Sequence, residues 1–530
     1  MDILLHLAKH SGEVVEANDL IDRNWSADRG TENALYKIMA ELRRAFRDND
    51  RQNRIFKTVS KRGYMLTLPV SESSQTRAMP LARGTDPALV LERSMLDGQA
   101  RMDNRDYMLA QQHFAVALEL NRQQSLPDST LECEAHLRIG RCVLLEQGRE
   151  LARPHYETAR ELALALQDHT RHARALLGIS GSLQPLLDKQ ALDMRHQLQL
   201  AFLSLPKQQG LLGNLLRSRI VTYTRPVNED LLTEIDAIVS EARQLDDTDT
   251  TAHGLIAQHE CWRLLCRPED QLKLSAELRS LTRDSEDRDL VSNGYVRSIA
   301  DHLQVADTSK VASLLDEFKQ LEPRFVFQDD INRIEANLAM MAGRFDEAER
   351  LAMSVSAREP GYRLQQFLQL LMIRRFQGRG EEVLPLLESV AASYGNVPEI
   401  LVQLTLLYVE CGQASAYRDT YGEQGIDLTV FNRDISWIPT LAALAELAYL
   451  VRDKPLAEAL LPELTPFAAS HLNHPSACYF GAGCYFIGLL YDVLGKTNEC
   501  TEALRKALKL HTDIGCVPMV ARTKERLAIK

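Results

Sequence analysis

One spacing constrains this chain more than any other feature. Small or apolar residues separated by 12, then 4, then 3 positions recur at Gly98, Ala110, Phe114, Ala117; at Gly140, Ala152, Tyr156, Ala159; at Ala336, Ala348, Ala352, Val355; and at Gly488, Cys500, Leu504, Ala507. A weaker copy is Leu371, Val383, Leu387, Val390. Steps of 4 and 3 stay on one face of a helix, and a step of 12 carries the pattern across a turn onto the next helix. Small residues at the first two positions let two antiparallel helices approach closely, and larger ones fill the space between successive hairpins. A chain patterned in this way folds as a stack of helix pairs. Its 530 residues then divide into one small domain and a long repeat array. The copies are degenerate, and residues 175–330 give no clear phase. Unrelated helical bundles with accidental spacing are the competing reading.

The phrases "HFAVALELN", "ALRKALKL" and "GRFDEAERL", the last closed by Pro360, resemble tetratricopeptide repeats. That resemblance implies a superhelix with a long concave surface, used to hold a peptide, a partner protein or a small effector rather than to do chemistry.

Ahead of the array the charge changes sign. Residues 1–70 hold 12 Lys+Arg against 10 Asp+Glu, whereas the whole chain has a net charge of -11, and residues 31–64 alone hold nine basic and four acidic side chains. Residues 71–87, "SESSQTRAMPLARGTDP", are polar with Pro and Gly and no apolar period, so they read as a linker between a domain at 1–70 and repeats at 88–530. Within 1–70 the apolar pattern predicts helix ("MDILLHLAKH"), a short extended "EVV", helix ("ANDLIDRNW"), a longer helix from Glu32 to about Arg47, and a β-hairpin. The hairpin strands are Ile55 to Val59 and Tyr64 to Leu68, around a Lys61-Arg62-Gly63 turn. On the longer helix, with Thr31 as its N-cap, Leu35, Ile38, Met39, Leu42 and Phe46 form the core stripe. The opposite face presents Asn33, Lys37, Ala40 and Arg44, with Tyr36, Glu41, Arg43 and Arg47 beside it. A helix of this kind can lie in a DNA major groove while a basic hairpin tip reaches phosphates or the minor groove.

The run "ENALYKIMAELRRAFRDN" followed by "IFKTVSKRGYMLTLP" resembles the winged helix-turn-helix of the OmpR/ToxR class of bacterial transcription regulators. By that resemblance Ala17 to Trp25 and Glu32 to Arg47 form the helix-turn-helix and Lys61 to Tyr64 the wing. The DNA-binding set is then Asn33, Tyr36, Lys37, Arg43, Arg44, Lys61 and Arg62. The resemblance also places a small sheet ahead of the first helix. This chain starts inside that helix, so either the start is misplaced or the domain is trimmed. Glu41 stands where a basic residue is expected; its carboxylate repels phosphate and suits cytosine N4. Control by aspartyl phosphorylation of a receiver domain in cis is not expected, and the expected architecture resembles a soluble, HilA-like one with repeats behind the DNA reader.

No constellation for catalysis emerges. "GKT" at 495–497 lacks the leading glycine of a P-loop because Leu490 stands there, and reads as an interhelical turn; "GISGS" at 178–182 misses the nucleophile elbow at its last position. His471, His474, Cys478 and Cys484 are the one tempting metal cluster. Pro475 is expected to start a new helix and separate them, leaving buried thiols and loop histidines. Cys261 and Cys266 are expected in the core, and the nine cysteines show no CxxC pair, as suits reduced thiols in a cytosol. The most membrane-like stretch, "ISWIPTLAALAELAYLV", is broken by Pro439 and Glu446. The sequence therefore predicts a mainly α protein, an N-terminal winged helix-turn-helix with a tetratricopeptide-like superhelix behind it. It reads as a cytoplasmic DNA-binding regulator rather than an enzyme, with double-stranded promoter DNA and a protein or small-molecule effector as partners and no cofactor or metal. The alternative is a repeat scaffold whose winged helix no longer binds DNA.

Overall fold

The computed structural model describes the chain except residues 1, 11, 13, 25–34, 36–37, 40–41, 44–54, 60–61, 68–86, 181–188, 224–228, 322–326, 356–359, 395–396, 432, 434–435, 475–477 and 529–530. It separates into two compact units, Met1–Gly84 and Thr85–Lys530.

In the first unit the helices Asp2–Lys9 and Ala17–Asn24 flank the strand β1, Val15–Glu16. The strands β2, Phe56–Val59, and β3, Gly63–Leu66, complete an antiparallel sheet in the order β1-β3-β2, with Val15 opposite Tyr64 and Thr58 opposite Tyr64 on its other side. The predicted stripe faces inward: Leu35 and Met39 are buried with Leu7, Leu20 and Phe56, and Ile38 and Leu42 pack against them. Phe46 and Thr31 lie outside the described residues. Gly63 belongs to β3 rather than to the turn. Its φ is +159°, and a Cβ there would lie 1.9 Å from the Val15 carbonyl oxygen, so the glycine is needed for the close approach of β1.

The second unit is the expected superhelix of paired helices, from Pro87–Asp103 with Tyr107–Arg122 through Gly483–Val493 with Thr497–Asp513, closed by Val517–Ala528. The spacing works sterically as the sequence predicts. A Cβ on Gly98 would lie 2.6 Å from the Phe114 ring, one on Gly140 3.1 Å from the Tyr156 ring, and one on Gly488 3.0 Å from Leu504. Gly178 of "GISGS" sits in a helix that also packs against the Tyr156 ring, and Gly495 of "GKT", with φ +74°, makes the turn between two helices.

The region without a clear phase continues the same pattern. In the pair Thr248–Leu264 and Pro268–Thr282 the spacing falls on His259, Gln271, Ser275 and Leu278; in Arg288–Gln304 and Thr308–Gln320 it falls on Ile299, Val311, Leu315 and Phe318; all eight are buried. Polar residues hide the first of these copies. His259 Nε2 lies 2.9 Å from an oxygen of the Asp301 carboxylate, and Gln271 Nε2 donates to the same carboxylate at 3.3 Å, so both polar side chains find a partner on another helix.

The superhelix also closes on itself. Arg141 and Arg149 donate to Asp287 and Asp289 at 3.2 and 2.9 Å, roughly 140 residues further along the chain. Pro475 does not lead directly into a helix: Tyr479–Ala482 is a strand, β5, paired with β4, His471–Asn473, and the helix begins at Gly483. Tertiary bonds hold this hairpin. The Tyr479 N–H donates to Asn337 Oδ1 at 2.8 Å, and Asn473 Nδ2 donates to the Ala300 carbonyl at 3.0 Å. The described residues of this hairpin are buried against the repeat helices.

Candidate nucleic-acid interface

Two of the seven sequence-predicted DNA contacts, Arg43 and Arg62, fall among the described residues. Asn33, Tyr36, Lys37, Arg44 and Lys61 lie outside them, as does Glu41.

Arg62 is exposed at the tip between β2 and β3. Its backbone fixes the turn: its N–H donates to the Val59 carbonyl at 3.0 Å, and its carbonyl accepts from the Ala17 N–H at 3.2 Å. The tip is thereby braced to the start of the helix Ala17–Asn24 while the side chain stays in solvent. Lys57 and Thr58 on β2 are exposed beside it.

Arg43 does something the sequence did not foretell. Its Nε and Nη2 donate to the Phe56 carbonyl at 3.1 and 2.8 Å, and Nη2 donates to Thr58 Oγ1 at 2.7 Å. The guanidinium is a strut between the predicted recognition helix and the first wing strand, fixing the two basic elements against each other. Charge-assisted bonds of this kind are worth about 1.5–3 kcal/mol. Arg43→Ala is expected to destabilise the first unit by an amount in that range and Arg43→Lys by nearly as much, since an ammonium has no fork. Denaturant unfolding of the two variants checks this.

The metal candidates are placed otherwise than a metal centre requires. His471 Nδ1 shares a hydrogen bond of 2.7 Å with the Tyr479 hydroxyl, and the backbone N–H of His474 donates to the Cys478 carbonyl at 2.8 Å. Among the described residues no three His, Cys, Asp or Glu side chains gather around a common point. Cys261 is buried, and Cys266 is half-buried with its thiol 3.4 Å from Ser470 Oγ. No described helix is long and apolar enough to cross a membrane.

A three-stranded sheet, a helical core stripe and a braced basic hairpin tip define a winged helix-turn-helix, here in a chain that continues as tetratricopeptide-like helical repeats. For the first unit, comparison with known proteins agrees. Residues 1–66 match the family described as transcriptional regulatory protein, C terminal. Among curated proteins, Transcriptional activator CadC of Escherichia coli (strain K12) is 33% identical over 90 residues, 17% of this chain and 18% of that one. The shared segment is thus less than a fifth of that relative. Among solved structures, a chain of the APC/C hetero-tetramer Cut9-Hcn1 aligns over 84% of this chain and 83% of its own at 12% identity and a TM-score of 0.47. Yeast Tom70 aligns over 84% and 97% at 11% identity and a TM-score of 0.28.

Proposed function

We propose that this chain is a bacterial transcriptional regulator that binds promoter DNA through residues 1–70 and a partner protein or effector through the repeats at 88–530, with 71–87 joining them. The match of residues 1–66 to the DNA-binding domain of transcriptional regulators carries the reading. The burial of Leu35 and Met39 supports it further, because it agrees with the core stripe from which the sequence assigns Asn33, Lys37 and Arg44 to the opposite face. Arg62 at the exposed tip and Lys61 beside it contact phosphate or the minor groove; Asn33 and Lys37 read base edges; Tyr36 and Arg44 flank them. Arg43 holds the wing in register and touches phosphate only with what its bonds to the hairpin leave over.

Binding of the full chain to its own promoter and to scrambled duplex across a salt series tests the proposal. Lys61→Ala with Arg62→Ala is expected to weaken both duplexes and to flatten the salt slope by about one unit per lost phosphate contact. Asn33→Ala or Lys37→Ala is expected to narrow the gap between the duplexes by about 1–3 kcal/mol. A folded chain with no salt-dependent binding to either duplex leaves the scaffold reading in its place.

A further inference from the structure

We propose that the interior of the repeat unit binds a small oxyanion, a carboxylate or phosphate group, on the Arg263 guanidinium between the helices Thr248–Leu264 and Arg288–Gln304. The proposal rests on the reading of the repeats as an effector domain and gives that effector a chemistry.

Arg263 is 2% exposed. Its Nε donates to Glu260 Oε2 at 3.0 Å, while Nη1 and Nη2 find no hydrogen-bond partner among the described residues. Arg297, on the neighbouring helix and 4% exposed, gives its Nη1 to the other oxygen of the same Glu260, and its Nε has no partner among the described residues. Two buried guanidinium groups thus share one carboxylate. Among the described residues, Asp301 is engaged with His259 and Gln271, and Asp330 with Arg333 and Ser292.

The same unit shows what a fully matched buried arginine looks like. Arg375 meets two carboxylates, Glu410 at 2.6 Å and Glu446 at 2.5 Å, the second shared with Arg522. Arg263 has one carboxylate only, shared with Arg297, and its two Nη atoms lack the acceptor that a second acid gives Arg375. The outward pair of amino groups on a guanidinium is a planar fork that fits two oxygens of a carboxylate or phosphate. Burial raises the pKa of Glu260, but Arg297 and Arg263 outweigh it and hold the carboxyl far below its ordinary range, so the acid stays ionised. Burial, together with the field of Arg263, pushes His474 down to about 3, so this neighbour is neutral and adds no competing charge.

The probes are inorganic phosphate and acetate, equilibrated with the full chain without DNA at constant ionic strength in chloride and followed by equilibrium dialysis. The expected result is one saturable site per chain for at least one of them; which of the two binds tells phosphate from carboxylate. Arg263→Gln is expected to lower its affinity at least tenfold, since it removes a charge-assisted bidentate contact. Glu260→Gln is expected to raise it about tenfold, because two guanidinium groups then face no competing carboxylate. A merely structural Glu260 predicts the opposite sign, and this variant decides the matter even if Arg263→Gln does not fold. No saturable binding of either probe, or binding that both variants leave unchanged, overturns the proposal. Neither result bears on DNA binding, and a failure of DNA binding leaves the dialysis result standing.

Discussion

Acidifying the protein from pH 7 to pH 5 is expected to lower the thermal midpoint of the repeat unit steeply. Burial pushes several of its histidines down from 6.5, among them His136 and His471 to about 4 and His253, His474 and His511 to about 3. The geometry of His511 gives an independent reason. The Ala482 N–H donates to its Nε2 at 2.8 Å, which fixes that nitrogen as an acceptor, and Nδ1 lies 2.9 Å from Thr523 Oγ1, whose own hydrogen goes to the Met519 carbonyl. A proton on Nε2 breaks this chain. At His136 the two Nδ1 atoms of His136 and His155 lie 3.1 Å apart, so the rings cannot both be cationic without repulsion. These groups stay neutral in the folded chain and take protons near pH 6.5 in the unfolded one, so the unfolded state binds more protons between those values. Stability is therefore complete above about pH 6.5 and is lost as the pH falls toward 4, by up to about 1.4 kcal/mol per histidine per pH unit. Glu134 acts lower. Burial alone raises its carboxyl, but Arg174 and Arg138 outweigh this and hold it at about 2, so its contribution is lost only between about 4.5 and 2. Thermal melts at pH 7, 6 and 5 at one ionic strength read the effect. A midpoint that does not move contradicts it.

Arg375→Ala is expected to be the most damaging single substitution in the C-terminal repeats, at about 3–5 kcal/mol, because it strands carboxylates inside the fold. Arg375 lies in the helix Pro360–Phe376 and donates to Glu410, at the end of Pro398–Glu410, and to Glu446 in Trp437–Val451. Arg522 of the last helix donates to Glu446 at 3.2 Å and to the Arg375 carbonyl at 3.1 Å, so one cluster pins four helices. Glu410→Ala combined with Arg375→Ala is expected to cost clearly less than the sum of the two, since the second change removes an acid the first left unpaired. Additive losses in denaturant melts contradict the account.

The parts of the fold set by periodicity were legible in the sequence. The 12-4-3 spacing located helix pairs toward both ends of the array because its positions there are glycine, alanine and larger apolar residues. It was lost between 259 and 278, where His259, Gln271 and Ser275 occupy the same packing positions, since a buried polar residue carries no local hydrophobic signal; the copy at Ile299, Val311, Leu315 and Phe318 is apolar but lacks the small residues that mark the others. The core stripe on the predicted recognition helix and the hairpin were likewise readable from alternation. Contacts between residues far apart in sequence were not. Arg43 read as a groove-side cation, yet its acceptors are on β2; Glu446 read only as a break in an apolar run, yet it pairs with Arg375 and Arg522; the strand Tyr479–Ala482 was masked by Pro475 and depends on Asn337. Gly63 was recognised as special for the wrong reason, because nothing local to the turn announces the approach of Val15.

Chromatin capture with sequencing, using the full chain at its native level, tests the central claim most directly. The account predicts sharp peaks at a limited set of promoters, lost when Lys61 and Arg62 are replaced by Ala and blurred when Asn33 and Lys37 are. Coverage indistinguishable from that of the quadruple variant, from a chain shown to be folded, would contradict it.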